Sequence, residues 1–391
     1  MSEAWIVSDL GWGDSGKGTT VDFLCRAHEA KLVVRWNGGG QAGHRVVLDD
    51  GRAHVFSQLG SGTFVPGVRT HLNEAFLFDP LALAVEARRL DVPDALARLS
   101  IAAEARVVTP FHVAANHLRE VARGDAAHGT CGCGIGETVA DAIAHPDDVL
   151  RAGDLRADVE GLRGRLERVN ERVVASLDEE LRATKGDPRA AHSRTLLQFM
   201  RPPFTDEFVA RMRSIGDAEI VDEIDLRCDV VMEGAQGVLL DQDVGWTPPH
   251  VTWSQCTTHA VHAWLDAQHF EGTRRSLGVM RTYATRHGAG PFPTEAHELR
   301  PLLPEPETFA RWQGAFRVGW LDLERLRYAI AQSPTDALVV THLDRLGAIP
   351  TRDGVPTDEE GWLRFVEREL GKSVAIASSG PTARDKRTIP R

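Results

Sequence analysis

Short apolar, β-branched runs that end in glycine or polar residues, at Trp5–Leu10, Leu32–Trp36, Asp229–Met232, Ala337–Thr341 and Ser373–Ala377, constrain this chain more than any other feature. A strand wetted on one face alternates apolar and polar residues, whereas an unbroken apolar strand must be covered on both faces. Helical patterns at Thr19–Ala27, Pro80–Arg89 and Leu321–Ala331 lie between the runs and supply that cover. The expectation is an α/β fold with a mainly parallel central sheet flanked by helices. Ligands of such sheets gather at the carboxyl ends of the strands. Most of the glycine-rich and polar motifs described below follow one of these runs.

The 391 residues read as a single unit, 1–391. Within it, 147–211 is rich in Arg, Glu, Leu and Ala, with helical spacing in Leu162–Leu166 and Val173–Leu181, and reads as a helical insertion over the sheet. Pro-rich Leu299–Glu307 reads as a loop into a last α/β portion, 296–391. The net charge of −11 argues against wholesale binding to nucleic acid or anionic membranes, while leaving room for a local basic pocket. No apolar stretch approaches the ~20 residues needed to span a bilayer. Met1-Ser2-Glu3-Ala4-Trp5 lacks the pattern of a signal peptide, so a cytoplasmic protein is expected. Five cysteines give no disulfide framework, and Cys131 with Cys133 makes poor zinc spacing, so both read as small loop residues.

The first motif is Gly11-Trp12-Gly13-Asp14-Ser15-Gly16-Lys17-Gly18, between an apolar run and a helical pattern. Its spacing is that of a phosphate loop through the lysine, with Gly18 where Ser or Thr is usual. Glycines let backbone N–H groups converge on phosphate, the helix start adds positive potential, and Lys17 supplies a mobile cation. Gly13, Ser15, Gly16, Lys17, Gly18 and Thr19 are therefore candidate phosphate ligands. Asp14 would repel a polyphosphate unless it binds Mg²⁺ or takes a proton from a second substrate. The second motif, Val34 to His44, presents His44 after a run of glycines. Alone it reads rather as a turn with a surface histidine. Beside an acid-bearing phosphate loop it reads as a donor to a transferring phosphoryl oxygen.

With these motifs the chain resembles the adenylosuccinate synthetase family. The resemblance rests on Gly13–Gly18, Asn37–His44, Ser61–Gly67, Glu233–Gly237 with Leu240-Asp241, and Val251-Thr252. It continues through Tyr283–Glu295, Gly319–Asp322, Thr341–Asp344 and Ser378–Pro381, in order over nearly the whole chain. It implies a GTP- and Mg²⁺-dependent ligase that phosphorylates the 6-oxo group of IMP and displaces the phosphate with aspartate. It implies that Asp14 is the base toward purine N1 and a Mg²⁺ ligand, that the Gly43 backbone is a further Mg²⁺ contact, and that His44 stabilises the phosphoryl group. Asn37, Gln41, Ala42, Gly43, Thr130, Cys131, Gln236 and Thr252 would then line the purine substrate. His342, Leu343, Asp344, Ser378, Ser379 and Gly380 would line the base of the donor nucleotide. A homodimer is also implied.

This chain departs from the family pattern in four places. Cys131 and Cys133 stand where a threonine and an arginine are usual, His145 stands at a cross-subunit arginine, and His342 replaces a lysine. The arginine run before Gly319 is reduced to Arg311 and Arg317, the candidates for the amine substrate, with Arg35 and Arg286 as further stand-ins. Arginine's bidentate reach has no substitute in His, Ala or Phe. Three readings remain open: the IMP–aspartate ligase, a paralogue using another acceptor such as dGMP or ATP as donor, and a non-catalytic nucleotide binder.

Overall fold

The computed structural model describes residues 2–198, 204–303, 309–351 and 354–390. Among them, the main sheet has ten strands. In chain order these are β1 (Glu3–Asp9), β2 (Leu32–Arg35), β3 (Arg69–Leu72), β4 (Leu99–Ala102), β5 (Glu219–Val221), β6 (Val230–Glu233), β7 (Thr273–Arg281), β8 (Ala337–Thr341), β9 (Val374–Ser378) and β10 (Lys386–Thr388). Their spatial order is β10-β9-β8-β7-β1-β6-β2-β3-β4-β5. All pairings are parallel except β9 with β10. The expected α/β class with a parallel central sheet is borne out.

The central strands explain their own apolar runs. Ala4, Ile6, Leu32, Val34, Val230 and Met232 pack on one face with Val261, Trp264 and Leu265. Val7, Val33, Val231, Leu277, Val279 and Val339 pack on the other with Val21 and Leu24. Every second residue thus serves a different core, so neither face tolerates polar alternation.

Helix α1 (Lys17–Ala27) follows β1, starting two residues earlier than its sequence pattern. Helix α2 (Pro80–Leu90) lies between β3 and β4, and beyond β4 comes a mostly helical stretch: α3 (Pro110–Arg123), α4 (Ile135–Ala144), α5 (Val159–Ala175), α6 (Asp178–Ala183), α7 (Ala191–Gln198) and α8 (Phe204–Met212). Leu162, Leu166, Val169 and Val173 of α5 join Phe111, Leu118 and Leu83 in one core. The stretch His297–Leu302 forms 3₁₀ turns, and 304–308 of the proposed loop lie outside the described residues. No helix among the described residues is long and apolar enough to cross a membrane.

Parallel pairing puts the carboxyl ends of β1, β2, β6, β8 and β9 on one edge. Contacts across that edge link the motifs. Thr341 donates its hydroxyl to the Ser15 carbonyl at 2.8 Å, and Thr19 donates to the Pro381 carbonyl at 2.7 Å.

Candidate active site

The phosphate loop turns out of β1 through positive φ at Gly13 (92°), Asp14 (60°) and Gly16 (91°). Asp14 is the non-glycine among the three, held in a conformation that is uncommon for a residue with a side chain. Gly16 caps α1 without any side-chain hydrogen bond, so the first amides of the helix stay open for an anion. Lys17 is buried, with Nζ 3.1 Å from Asp9 Oδ2. Asp9 also accepts from the backbone N–H groups of Gly11 (2.8 Å) and Ser15 (2.9 Å).

Asp14 is exposed at the surface of the loop, and its carboxylate accepts no hydrogen bond from the described residues. Dense protein nevertheless surrounds it on the scale over which charge is solvated. That desolvation raises its pKa, opposed by Lys17 and Arg281 and reinforced by Asp9. Arg281 also donates to the Asp14 carbonyl at 3.2 Å and so braces the loop.

His44 opens a two-stranded hairpin, His44–Val47 with Ala53–Phe56, directly over the start of α1. A β-carbon on Gly18 would lie 2.7 Å from His44 Cβ and 3.0 Å from Ser61 Oγ. His44 Nδ1 is 2.5 Å from Glu233 Oε1, at the carboxyl end of β6. The same carboxylate accepts from the Ser61 amide at 2.9 Å and from the Ser61 hydroxyl. Glu233 is pulled down to about 2 against its burial, chiefly by Arg35 and His44, and is therefore ionised. Burial lowers His44 to about 4, so at neutral pH the imidazole is uncharged and donates a hydrogen bond from Nδ1–H to the Glu233 carboxylate. The donor role expected of His44 then requires Nε2 to gain a proton as phosphate charge arrives. Sequence reading quoted Glu233 only as part of a motif. Its signal was a carboxylate closing a fully buried strand, and Asp9 carries the same signal.

The other candidate residues divide into free and engaged groups. Gln41 has both side-chain polar atoms buried without a partner, and Gln236 its Oε1. Gln236 also sits at φ 53° against Gly38. Buried amides in this state call for a ligand or water. The Asn37 side chain, expected near the purine, bonds the protein backbone. It accepts from the Ala235 amide at 2.7 Å and donates to the Ala235 and Gln255 carbonyls at 3.2 and 2.8 Å. Its truncation to Ala should cost about 3 kcal/mol of stability, read by denaturant unfolding, because it strands buried backbone groups. Ala42 is buried, and Gly43 precedes His44 at the hairpin mouth. Thr130 Oγ1 accepts from Asn116 at 2.9 Å, and Thr252 is tied by its amide to the Leu240 carbonyl at 2.7 Å.

The loop 129–136 lies against residues 289–313: Gly129 meets Ala289 and Gln313, and Gly132 is covered by the Trp312 ring. Trp312 in turn stacks on His117 at 4.1 Å. Cys133 hydrogen-bonds Cys131, which lowers Cys131 and raises Cys133. The proposed arginines are committed elsewhere. Arg317 pairs with Glu295 (2.8 Å) and donates to the Gly288 and Gly290 carbonyls. Arg311 lies over Trp312 and donates to the Arg189 carbonyl. Buried Arg286 staples the Ala289 and Pro291 carbonyls. Arg35 is fully buried, bonded to the Leu59 carbonyl and lying over Phe76. In this structure all four guanidiniums hold backbone carbonyls.

At the second base-like site, His342 has φ 62°, donates or accepts at Thr341 Oγ1 (2.8 Å), and is held neutral by burial. Leu343 is buried beneath it. Asp344 pairs with Arg345 at 3.1 Å and stays partly open. Ser378 bonds the Gly380 carbonyl, and Ser379 reaches Glu359. Lys386, unnoticed in the sequence, links Thr19 (2.6 Å) to the Thr382 carbonyl.

A family model for adenylosuccinate synthetase matches residues 6–352. The chain belongs to the adenylosuccinate synthetase family. It is 35% identical over 362 residues to the adenylosuccinate synthetase of Myxococcus xanthus, covering 88% of this chain and 78% of that one. Among solved structures it resembles the fully ligated adenylosuccinate synthetase of Plasmodium falciparum, with TM-score 0.77, 20% identity and 99% of each chain covered. It also resembles the cyanophage S-2L succinoaminodeoxyadenylate synthetase bound to dGMP and dATP, with TM-score 0.67, 20% identity and 100% and 96% coverage. At that identity the two structures establish the shared fold of the adenylosuccinate synthetase family.

Proposed function

We propose that this chain is a ligase of the adenylosuccinate synthetase type, joining aspartate to IMP at the expense of a nucleoside triphosphate. The observation that carries the reading is the position of His44, bonded to Glu233 and packed against Gly18 at the open start of α1, next to Lys17 in the chain. A ring carbonyl is a poor leaving group, and phosphorylation turns it into a good one. In this reading Asp14 takes the N1 proton of the purine, so that O6 attacks the terminal phosphoryl group. Lys17 and the loop amides hold phosphate oxygens, and His44 donates from Nε2 as charge builds. Gln41 and Gln236 offer the unused hydrogen bonds that a purine edge needs.

The donor set suits Mg²⁺, which is held by one or two carboxylates and keeps phosphate oxygens and water in its shell. Among the described residues no cluster of three or more acidic, His or Cys side chains competes with Asp14 for that role. Asp14 and the Gly43 carbonyl would hold the ion, which neutralises phosphate charge. GTP is the proposed donor, with Asp344 reading guanine N1–H and N2–H once released from Arg345. A cytoplasmic homodimer belongs to the same reading, checked by solution mass.

Incubation with IMP, aspartate, GTP and Mg²⁺ should release phosphate and shift purine absorbance. The commitment of Arg35, Arg286, Arg311 and Arg317 to loop carbonyls favours testing a second acceptor and donor in parallel, dGMP with ATP. Turnover with that pair alone would replace the IMP assignment. Nucleotide binding without phosphate release from any mixture would reduce the protein to a binder.

A further inference from the structure

We infer that Asp9 is a built-in occupant of the phosphate loop, and that nucleotide binding moves Lys17 from this carboxylate to a phosphate oxygen. The groups that converge on Asp9 are those a phosphate would use. Its Oδ2 accepts from the Ser15 amide at 2.9 Å and from Lys17 Nζ at 3.1 Å, and its Oδ1 from the Gly11 amide at 2.8 Å. A carboxylate edge and a phosphate edge present the same pair of acceptors to a ring of N–H donors. Both partners are almost fully buried, at 3% and 0% side-chain exposure, so the pair stands inside the protein rather than on a wet surface. Nothing else in the loop neutralises Lys17 as closely, and the helix start behind it has no side-chain cap.

A strand-terminal acid here has two consequences. Without nucleotide, the loop is already folded around an anion, so its positive φ turns do not depend on a ligand. With nucleotide, the incoming phosphate has to offer more than a carboxylate does. The two amide bonds to Asp9 survive if only Lys17 swings away, so the exchange leaves Asp9 hydrogen-bonded and not stranded. The site is thereby biased against weakly charged anions and toward a polyphosphate.

This inference rests on the nucleotide-binding part of the proposed function, and its test needs no turnover. Pyrophosphate is titrated calorimetrically into the full chain and into Asp9→Asn, which keeps the side-chain shape and an acceptor for one amide. The variant should bind pyrophosphate about tenfold more tightly, the worth of one charge-assisted contact no longer competed for. Equal or weaker binding by a variant with an unchanged unfolding midpoint overturns the inference, as does an absence of binding in both proteins. If Asp9→Asn does not fold, a crystal of the unaltered protein soaked with GTP and Mg²⁺ decides. Lys17 Nζ on a phosphate oxygen supports the exchange, and Lys17 still on Asp9 with phosphate bound overturns it. Failure of IMP–aspartate turnover, with these results intact, would strike the ligase reading alone.

Discussion

Asp14→Asn should lower kcat for ligation by about 10³-fold while leaving nucleotide affinity within reach of measurement. An asparagine in the same loop position keeps the backbone turn but neither accepts the N1 proton nor contributes charge to a metal. The pH profile has a defined sign. Asp14 must be ionised to act as a base, and desolvation by the protein around the loop raises its pKa. Activity should therefore fall on the acid side at a pH above the range of an ordinary aspartate. Stability should run the other way. The folded state holds this proton more tightly than the unfolded chain does, so the ionised carboxylate costs stability at neutral pH, and that cost is relieved as pH falls through the raised value. Asp14→Asn should melt at or above the temperature of the parent at pH 7, with the gap closing in acid. An inactive variant that also melted lower would make Asp14 a structural residue.

Glu233→Gln should cost about 10²–10³-fold in kcat, with little change in KM for the nucleotide. Glu233 touches no substrate in this arrangement. It is a positioning residue that fixes the His44 ring through Nδ1 and stabilises the imidazolium when Nε2 takes up a proton. Glutamine still accepts from Nδ1 but supplies no charge, and its amide faces the Ser61 donors. Glu233→Asp keeps the charge with a shorter reach and should recover part of the rate. Loss of rate without any recovery by aspartate, or an equal rise in KM, would assign Glu233 to folding of the loop instead.

Runs with a continuous apolar middle announced their strands: β8 matches its sequence run, and β1, β2, β6 and β9 differ from theirs by a residue or two. Strands with polar ends did not. β7 begins Thr273-Arg274-Arg275 and becomes fully buried from Ser276, so its first half reads as surface although it pairs along the whole of β1. β3 and β4 are four residues each with Arg, Thr, His or Ser among them, and antiparallel β10 is three residues of edge. In the site, glycine spacing exposed Asp14, Lys17 and His44 because local sequence builds that loop. Partners distant in sequence stayed hidden. Glu295 lies 22 positions from Arg317, and Glu233 lies 189 from His44. A sequence displays a guanidinium but not the carbonyls that already claim it, which is why Arg317 and Arg286 looked available.

Gly18 follows the lysine without a positive φ, so crowding rather than backbone freedom forbids a side chain there. The space that a side chain after the lysine would need is taken here by the Cβ and backbone of His44 and by the Ser61 hydroxyl. Gly18→Ser would push against the start of the hairpin and so shift the strand end that presents His44. Glycine at this position is therefore the condition on which the phosphate loop and the His44 hairpin can lie against each other.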